Sequence, residues 1–235
     1  MPVSVVQGPQ LPKNHTVLLF RKRLEILDEV MARWCKAPMA PRTVSGRMID
    51  VYSLHPELLR DVIFIRHAEP LVEPDRPPAE WQLSLKGREL SYELGACLSP
   101  TGLRRIVSSP EEKARTTATA LAEVLGVRVV TDDRLREVQR PWTDGNFADV
   151  VARYLQGDLI EGWEPVEQVV SRLEAFLVSR PSEGPIGVVT HGTAMTCLLS
   201  TDDSTNRARF WSELKMPDAW SFSQEGPMRL DCLRT

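Results

Sequence analysis

Four short runs of apolar residues divide the chain and predict the strands of a buried sheet. The runs are Val62–Arg66, Arg105–Ser108, Val127–Thr131 and Gly187–Thr190. β-Branched residues dominate them, and polar residues rarely interrupt them. Unbroken runs of this kind are typical of parallel strands that are buried on both faces.

Segments of helical composition lie between and after these runs. They are Leu85–Leu98, Glu111–Leu125, Val166–Val178 and Thr193–Leu199. The alternation predicts an α/β protein with three layers, in which helices cover both faces of a mostly parallel sheet. Trp220–Ser223 and Leu230–Leu233 predict late edge strands that include antiparallel pairing.

An apolar stripe marks the first part of the chain. Its members are Val17, Phe20, Leu24, Leu27, Met31 and Trp34. Their spacing of three or four residues predicts one helix from about residue 16 to residue 37. Pro38 and Pro41 end this helix, and a linker follows, so residues 1–60 form an N-terminal helical extension and residues 61–235 a second domain.

The stripe must be buried, since six large apolar side chains in one exposed row would promote aggregation. We favour docking of the helix on its own chain. The alternative is that the stripe pairs two copies into a homodimer through the N-terminal helix.

Two of the predicted strands end on histidines. Arg66 and His67 follow the first apolar run, and His191 follows the last. Ligands of open α/β sheets bind at the carboxyl ends of the strands. Lys113 lies near the start of the helix that follows Ser109-Pro110, where backbone N–H groups favour an anion. The side chains expected to converge on a phosphoryl group are Arg66, His67, Lys113 and His191.

The motifs and their order resemble those of the histidine phosphatase superfamily, the phosphoglycerate-mutase-like family. The matching segments are Arg66–Glu69 for R-H-G-E, Leu83–Gly87 for L-[ST]-x-x-G, Ser108–Ala114, Leu135–Glu137 for L-x-E, and Thr190–Gly192. They cover about residues 61 to 222, whereas residues 1–60 have no counterpart. Five ordered matches are far more specific than one.

This resemblance implies a histidine phosphatase-like catalytic domain and assigns roles within it. His67 would be the nucleophile that forms a phosphohistidine. Arg66, Lys113 and His191 would bind the phosphate oxygens, with His191 also catalytic. Glu137 would protonate the leaving group and then activate water. No metal or other cofactor is expected, because the cationic side chains take its place. Glu69, Arg140 and Trp142 are the candidates for the substrate pocket.

The chain departs from the family pattern at three places. Ala68 replaces the usual glycine, and Lys113 replaces the usual arginine. Arg115 is the alternative phosphate ligand, but residues two apart do not share a helix face, and Lys113-Ala114 also matches the register of the family pattern, so we favour Lys113. A proline-rich stretch, residues 70–78, replaces a polar loop that many members place beside the phosphate. The last change concerns substrate identity rather than the chemistry.

Composition limits the classes of partner. Hydrophobic residues make up 42% of the 235 residues, and the net charge is −3 with a pI near 5.9. These values argue against nucleic acid or a membrane as partner, so the positive pocket must be local. No apolar run reaches the length of a membrane span. The scattered cysteines Cys35, Cys97, Cys197 and Cys232 predict reduced thiols in a cytoplasmic protein.

Three functions compete at this point. The first is a phosphatase that acts on a small phosphorylated metabolite. The second is a phosphoglycerate-mutase-type phosphotransferase, and the third is a non-enzymatic scaffold that keeps the fold. The short excursion of residues 132–162, which carries Glu137, offers little material for a large lid. It therefore favours a small phosphomonoester as substrate.

Overall fold

The structure is a computed structural model that describes residues 56–143, 145–180, 184–200, 204–223 and 226–231. The N-terminal stripe and most of the linker lie outside these residues. Both the helix over residues 16–37 and its docking or pairing therefore stay predictions, as does the division of the chain at residue 60.

The described residues contain a six-stranded sheet. Its strands are β1 Val62–Arg66, β2 Arg105–Ser108, β3 Arg128–Thr131, β4 Ile186–Thr190, β5 Asp218–Ser223 and β6 Gly226–Arg229. Their order across the sheet is β3-β2-β4-β1-β5-β6. The first four in that order are parallel, β5 is antiparallel to β1, and β6 is antiparallel to β5. This arrangement confirms the mostly parallel sheet with antiparallel late strands.

Helices connect these strands and cover the sheet. They are α1 Pro56–Leu59, α2 Leu85–Leu98, α3 Glu112–Leu125, α4 Phe147–Leu155, α5 Val166–Ser179, α6 Gly192–Leu199 and α7 Ser204–Glu213. Single 3-10 turns occupy Pro78–Glu80, Ser99–Thr101 and Asp133–Leu135.

Both faces of the sheet are buried. Ile63 and Ile65 of β1 pack in an apolar cluster with α2 and α3 on one face. Val62 and Phe64 point to the opposite face, because side chains alternate along a strand, and they are also buried. There α6 contacts β1 and packs against α5. The three-layer α/β/α prediction is confirmed.

The predicted strands and helices agree with the observed ones to within one residue at each end, apart from the late strands. The strand predicted at Leu230–Leu233 is wrong, since β6 spans Gly226–Arg229 and Leu230 lies beyond it. In the sequence, Gly226 and Pro227 argue against a strand at this position. Proline is nevertheless tolerated on an edge strand, where its missing N–H costs no ladder hydrogen bond. Helices α4 and α7 were not predicted.

The expectation of reduced thiols is wrong for one cysteine. Cys97 is disulfide-bonded, and Cys35 and Cys232 lie outside the described residues. Cys197 is free, and burial raises the pKa of its thiol to about 12. The cysteines as a set therefore no longer argue for a reducing compartment. Among the described residues, no helix is long and apolar enough to cross a membrane.

Candidate active site

His67 enters the site directly from the end of β1. Its backbone N–H donates to the carbonyl oxygen of Thr190 on the neighbouring strand β4, at 3.0 Å. Its ring Nδ1 lies 2.7 Å from the carbonyl oxygen of Ala68. Because a carbonyl oxygen only accepts hydrogen bonds, Nδ1 must carry the hydrogen. The neutral ring then has its lone pair on Nε2.

The surroundings of His67 favour this neutral form. Burial is the main cause that lowers the pKa of His67 well below its usual value, and the neighbouring His191, Lys113 and Arg66 lower it further. Both effects penalise a positive imidazolium. His67 is therefore an unprotonated, buried imidazole whose ring is oriented by its own backbone.

The backbone beside His67 is held by helices α2 and α3. The N–H of Ala68 donates to the hydroxyl of Thr117, which in turn donates to the carbonyl oxygen of Lys113. On the other side, α2 begins against residue 69. A Cβ added to Gly87 would lie only 2.4 Å from the carbonyl oxygen of Glu69, so only glycine permits this approach. This contact explains the glycine of the L-[ST]-x-x-G motif.

Glu69 is less central than the other predicted site residues. Its side chain is exposed and accepts a hydrogen bond of 2.8 Å from the hydroxyl of Ser84. Ser84 also caps α2 by accepting from the N–H of Gly87. The structure thus connects the Glu69 carboxylate to the start of α2.

His191 lies beside His67 because β4 and β1 are adjacent and parallel. The two rings are 5.0 Å apart between centroids. His191 Nε2 lies 2.8 Å from the hydroxyl of Ser109, and its buried Nδ1 has no hydrogen-bond partner among the described residues. Burial, followed by Lys113, Arg172 and Arg66, lowers the pKa of His191 well below its usual value.

Arg66 leaves one buried donor unused. Its Nη1 donates to the carbonyl oxygen of Leu214 at 2.8 Å, whereas its buried Nε has no partner among the described residues. A Cβ added to Gly192 would lie 2.9 Å from this Nε, so the glycine after His191 makes room for the guanidinium. An unpaired buried donor is costly, and an anion in the pocket would satisfy it.

The structure separates the two candidate phosphate ligands at the start of α3. Lys113 is buried, with 5% of its surface exposed, and electrostatically affects both histidines. The side chain of Arg115 is 55% exposed and pairs with Glu112 at 3.2 Å. Lys113 therefore belongs to the site and Arg115 to the outer face of the helix. Pro110 directly precedes Glu111, the N-cap residue of α3.

Glu137 reaches the site through the N-terminus of α6. Its Oε1 accepts from the N–H groups of Val138 and Ala194 at 2.9 and 2.8 Å, and Oε2 accepts from Thr193 at 3.3 Å. Helix N-termini favour such anionic groups. Since His191 is the N-cap residue of α6, this contact places Glu137 next to the histidine pair.

Arg172 of α5 holds the segment that carries Glu137. Its guanidinium donates to the carbonyl oxygens of Arg134, Arg136 and Glu137 at 2.6, 2.8 and 3.2 Å. It also pairs with buried Glu164 at 2.8 Å. No sequence pattern selects Arg172 or Glu164, because an Arg–Glu pair eight residues apart is ordinary and only the fold brings the three carbonyl groups together.

Arg140 and Trp142 border the same region. The Arg140 guanidinium lies 4.2 Å from the centroid of the Phe147 ring. Burial lowers the pKa of Arg140, whereas the charges of Glu137 and then Glu111 act in the opposite direction. Trp142 is half exposed and meets Trp81 edge-on at 5.9 Å. These side chains form a mixed aromatic and cationic rim.

The donor set as a whole suits an anion. The N–H donors of Arg66 and Lys113 flank two neutral imidazoles, while the backbone N–H groups at the start of α6 hold Glu137 beside them. Charged donors that converge in a buried site are the usual means of binding a phosphoryl group. Within the described part of the chain, no three His, Cys, Asp or Glu side chains form a group that would hold a metal ion.

Comparison with known proteins identifies the family. The sequence model of the histidine phosphatase superfamily (branch 1) matches residues 62–222, which is more than half of the chain. The chain belongs to this superfamily. The matched segment begins at β1 and includes the predicted site residues from Arg66 to His191.

Relatives in the superfamily carry different activities. The probable phosphoglycerate mutase GpmB of Klebsiella pneumoniae is 27% identical over 158 residues, which cover 60% of this chain and 73% of that protein. A mycobacterial glucosyl-3-phosphoglycerate phosphatase has a TM-score of 0.54 at 21% identity, over 68% of this chain and 87% of its own. YhfR of Bacillus stearothermophilus has a TM-score of 0.55 at 23% identity, over 72% and 94%. The two structures show that the fold is shared.

Proposed function

We propose that this chain is a metal-independent phosphatase that hydrolyses a small phosphomonoester through a phosphohistidine intermediate. The observation that carries the proposal is the 2.7 Å contact between His67 Nδ1 and the carbonyl oxygen of Ala68. This contact leaves Nε2 as the nucleophilic atom, and the lowered pKa of His67 keeps that atom unprotonated.

In the first step, His67 Nε2 forms a bond to phosphorus while the bond to the ester oxygen breaks. Glu137 gives a proton to the departing oxygen, so an alcohol leaves. Arg66, Lys113 and His191 donate hydrogen bonds to the phosphoryl oxygens, where charge spreads in the transition state. In the second step, Glu137 takes a proton from water, water attacks phosphorus, and the N–P bond breaks to release inorganic phosphate.

The aromatic rim gives the organic part of the substrate a place to bind. Trp81 follows the turn whose Pro78 carbonyl oxygen accepts from Lys113 at 2.7 Å, and Trp142 packs against Trp81. A ring or short apolar chain attached to phosphate would contact these indoles. This is consistent with a small metabolite rather than a protein substrate.

A phosphoglycerate-mutase-type phosphotransferase is the second candidate. It is favoured by relatives such as the Klebsiella protein, a probable phosphoglycerate mutase. The same His67 intermediate would form, but the phosphoryl group would return to the bound organic molecule instead of passing to water. A non-enzymatic scaffold is the third candidate, and the assembled set of His67, His191 and Glu137 argues against it.

One experiment distinguishes these candidates. The full-length chain is incubated with a panel of phosphorylated metabolites, including phosphoglycerates, and inorganic phosphate and positional isomers are both quantified. A phosphatase releases phosphate stoichiometrically with substrate loss, whereas a mutase produces the isomer with little release. If neither product forms with any metabolite or with a generic aryl phosphate, the scaffold interpretation replaces the proposed function.

Lys113→Ala is expected to weaken inhibition by inorganic phosphate or vanadate by at least about tenfold, since a buried charged hydrogen bond to the anion is lost. Arg115→Ala is the matched control, because Arg115 is exposed and pairs with Glu112. It should change the inhibition constants less than twofold.

Removing Lys113 also removes one cause of the low pKa of His67. The pKa of the histidine should rise, so the acid limb of the profile of kcat/KM against pH should move to higher pH. A larger effect from Arg115→Ala than from Lys113→Ala would exclude this assignment of the phosphate ligand.

A further inference from the structure

An acidic side chain lies among the groups that should bind phosphate. Glu111 accepts from Lys113 Nζ through Oε2 at 2.5 Å. Its Oε1 accepts from the backbone N–H of Glu137 at 2.7 Å and lies 3.4 Å from His191 Nε2. The side chain is only 12% exposed. One carboxylate thus contacts two of the predicted phosphate ligands.

This position is not explained by helix capping. Glu111 is the N-cap residue of α3, yet its side chain makes no capping hydrogen bond to that helix. The neighbouring Glu112 behaves as an ordinary helix-surface residue, with contacts to Arg115 and Thr116. Glu111 instead turns away from its own helix into the site.

The contacts of Glu111 pair the positive charge of Lys113, which a phosphoryl group would need for binding. Lys113 Nζ donates both to Glu111 and to the carbonyl oxygen of Pro78. Two of its three donors are therefore engaged, and its positive charge is paired. A phosphoryl oxygen placed beside Lys113 and His191 would meet the negative charge of Glu111 at close range, where repulsion is strong.

We propose that Glu111 is an internal anion that occupies the phosphate position, withdraws when a phosphomonoester binds and so lowers the affinity of the site for phosphoryl groups. The inference rests on the proposed function. The exchange is balanced in hydrogen bonds, because phosphoryl oxygens can accept from Lys113 and from the Glu137 N–H that Glu111 releases. Binding of a bare anion must therefore compete with a tethered carboxylate. Substrates with an organic group that contacts the Trp81–Trp142 rim have additional binding free energy to displace it.

The inference predicts that Glu111 weakens binding of small anions. Glu111→Gln keeps the shape of the side chain and removes its charge, and Glu111→Ala removes both. Both variants should bind vanadate and inorganic phosphate at least about tenfold more tightly than the wild type, as measured by inhibition constants and by calorimetry. The matched control Glu112→Gln removes the adjacent charge outside the site and should stay within about twofold of the wild type.

Substrate affinity provides a second readout. Every phosphoryl ligand must displace the same carboxylate, so the KM for an aryl phosphate should fall in both Glu111 variants together with the vanadate inhibition constant. Thermal melting of each variant, with and without vanadate, establishes that the protein is folded. Should one variant not fold, the other decides.

The outcomes separate the inference from the proposed function. Unchanged or weaker vanadate binding in the folded Glu111 variants of an active enzyme would refute the role of Glu111 alone. Tighter binding in these variants would support it, including the case in which the wild type binds no vanadate detectably. Absence of turnover and of anion binding in the wild type and in both variants would overturn the proposed function and the inference together.

Discussion

His67→Ala is expected to lower phosphatase turnover by several orders of magnitude. The replacement removes the atom that attacks phosphorus in the first step of our proposed mechanism, and loss of such a residue leaves only the contributions of binding and orientation. Initial rates of phosphate release from an aryl phosphate, measured with the full-length chain, check this expectation. Normal turnover by His67→Ala would exclude the phosphohistidine mechanism.

Direct detection of the intermediate complements the rate measurement. Wild-type protein quenched during turnover of a labelled phosphoester should carry label that is lost in acid and retained in alkali, as a phosphorus–nitrogen bond requires. His67→Ala should carry none. Arg115→Ala is the control, because it changes the outer face of α3. It should carry label as the wild type does, which would exclude a general effect of substitution near the site.

Much of the fold was predictable because the sheet is buried on both faces. In β1 and β4 nearly every residue is buried, so the predicted apolar runs match the strands to within one residue. Helix α7 was missed because its sequence is mostly polar, and its place is set by contacts with α4 and α6 rather than by an apolar stripe. β6 was misplaced because its proline is acceptable only at the edge of a sheet.

Some residues of the site can likewise be predicted from the sequence, whereas others depend on tertiary contacts. Arg66, His67 and His191 follow strands that the sequence places in a parallel sheet, and adjacent parallel strands must bring their ends together. Glu111 gave no such signal, since a glutamate at the start of a helix is usually a favourable partner of the helix dipole. Its turn into the site depends on Lys113, two residues further along the chain, and on the N–H of Glu137, which only the fold brings close.

Arg172 shows why supporting residues escape sequence analysis. Its three carbonyl partners belong to residues 134–137, more than thirty positions away. Any residue type can supply a backbone carbonyl group, so a sequence motif cannot reveal these contacts. The L-x-E motif therefore predicts the position of Glu137 in the chain, whereas the means by which this segment is held against α6 appear only in the structure.

Glu137→Gln is expected to slow hydrolysis according to the leaving group. For an alkyl phosphate, whose alcohol must be protonated as it departs, we expect a loss of about 10²–10⁴-fold, the usual contribution of a general acid. For an aryl phosphate with an acidic phenol, protonation is hardly needed, and the first step should lose far less. Glutamine retains one side-chain oxygen as an acceptor for the α6 N–H groups, so the fold of the site should be preserved.

The second step distinguishes the two roles of Glu137. With the activated aryl phosphate, Glu137→Gln should still form the phosphohistidine but hydrolyse it slowly, because the base that activates water is missing. Label on His67 should therefore accumulate, and a burst of phenol should precede a slow steady state. Kinetics across a series of leaving groups, with Glu112→Gln as the control carboxylate, measure both effects. Equal losses for all leaving groups without accumulated label would remove Glu137 from both roles, and Glu111, which accepts from the Glu137 N–H, would become the next carboxylate to test.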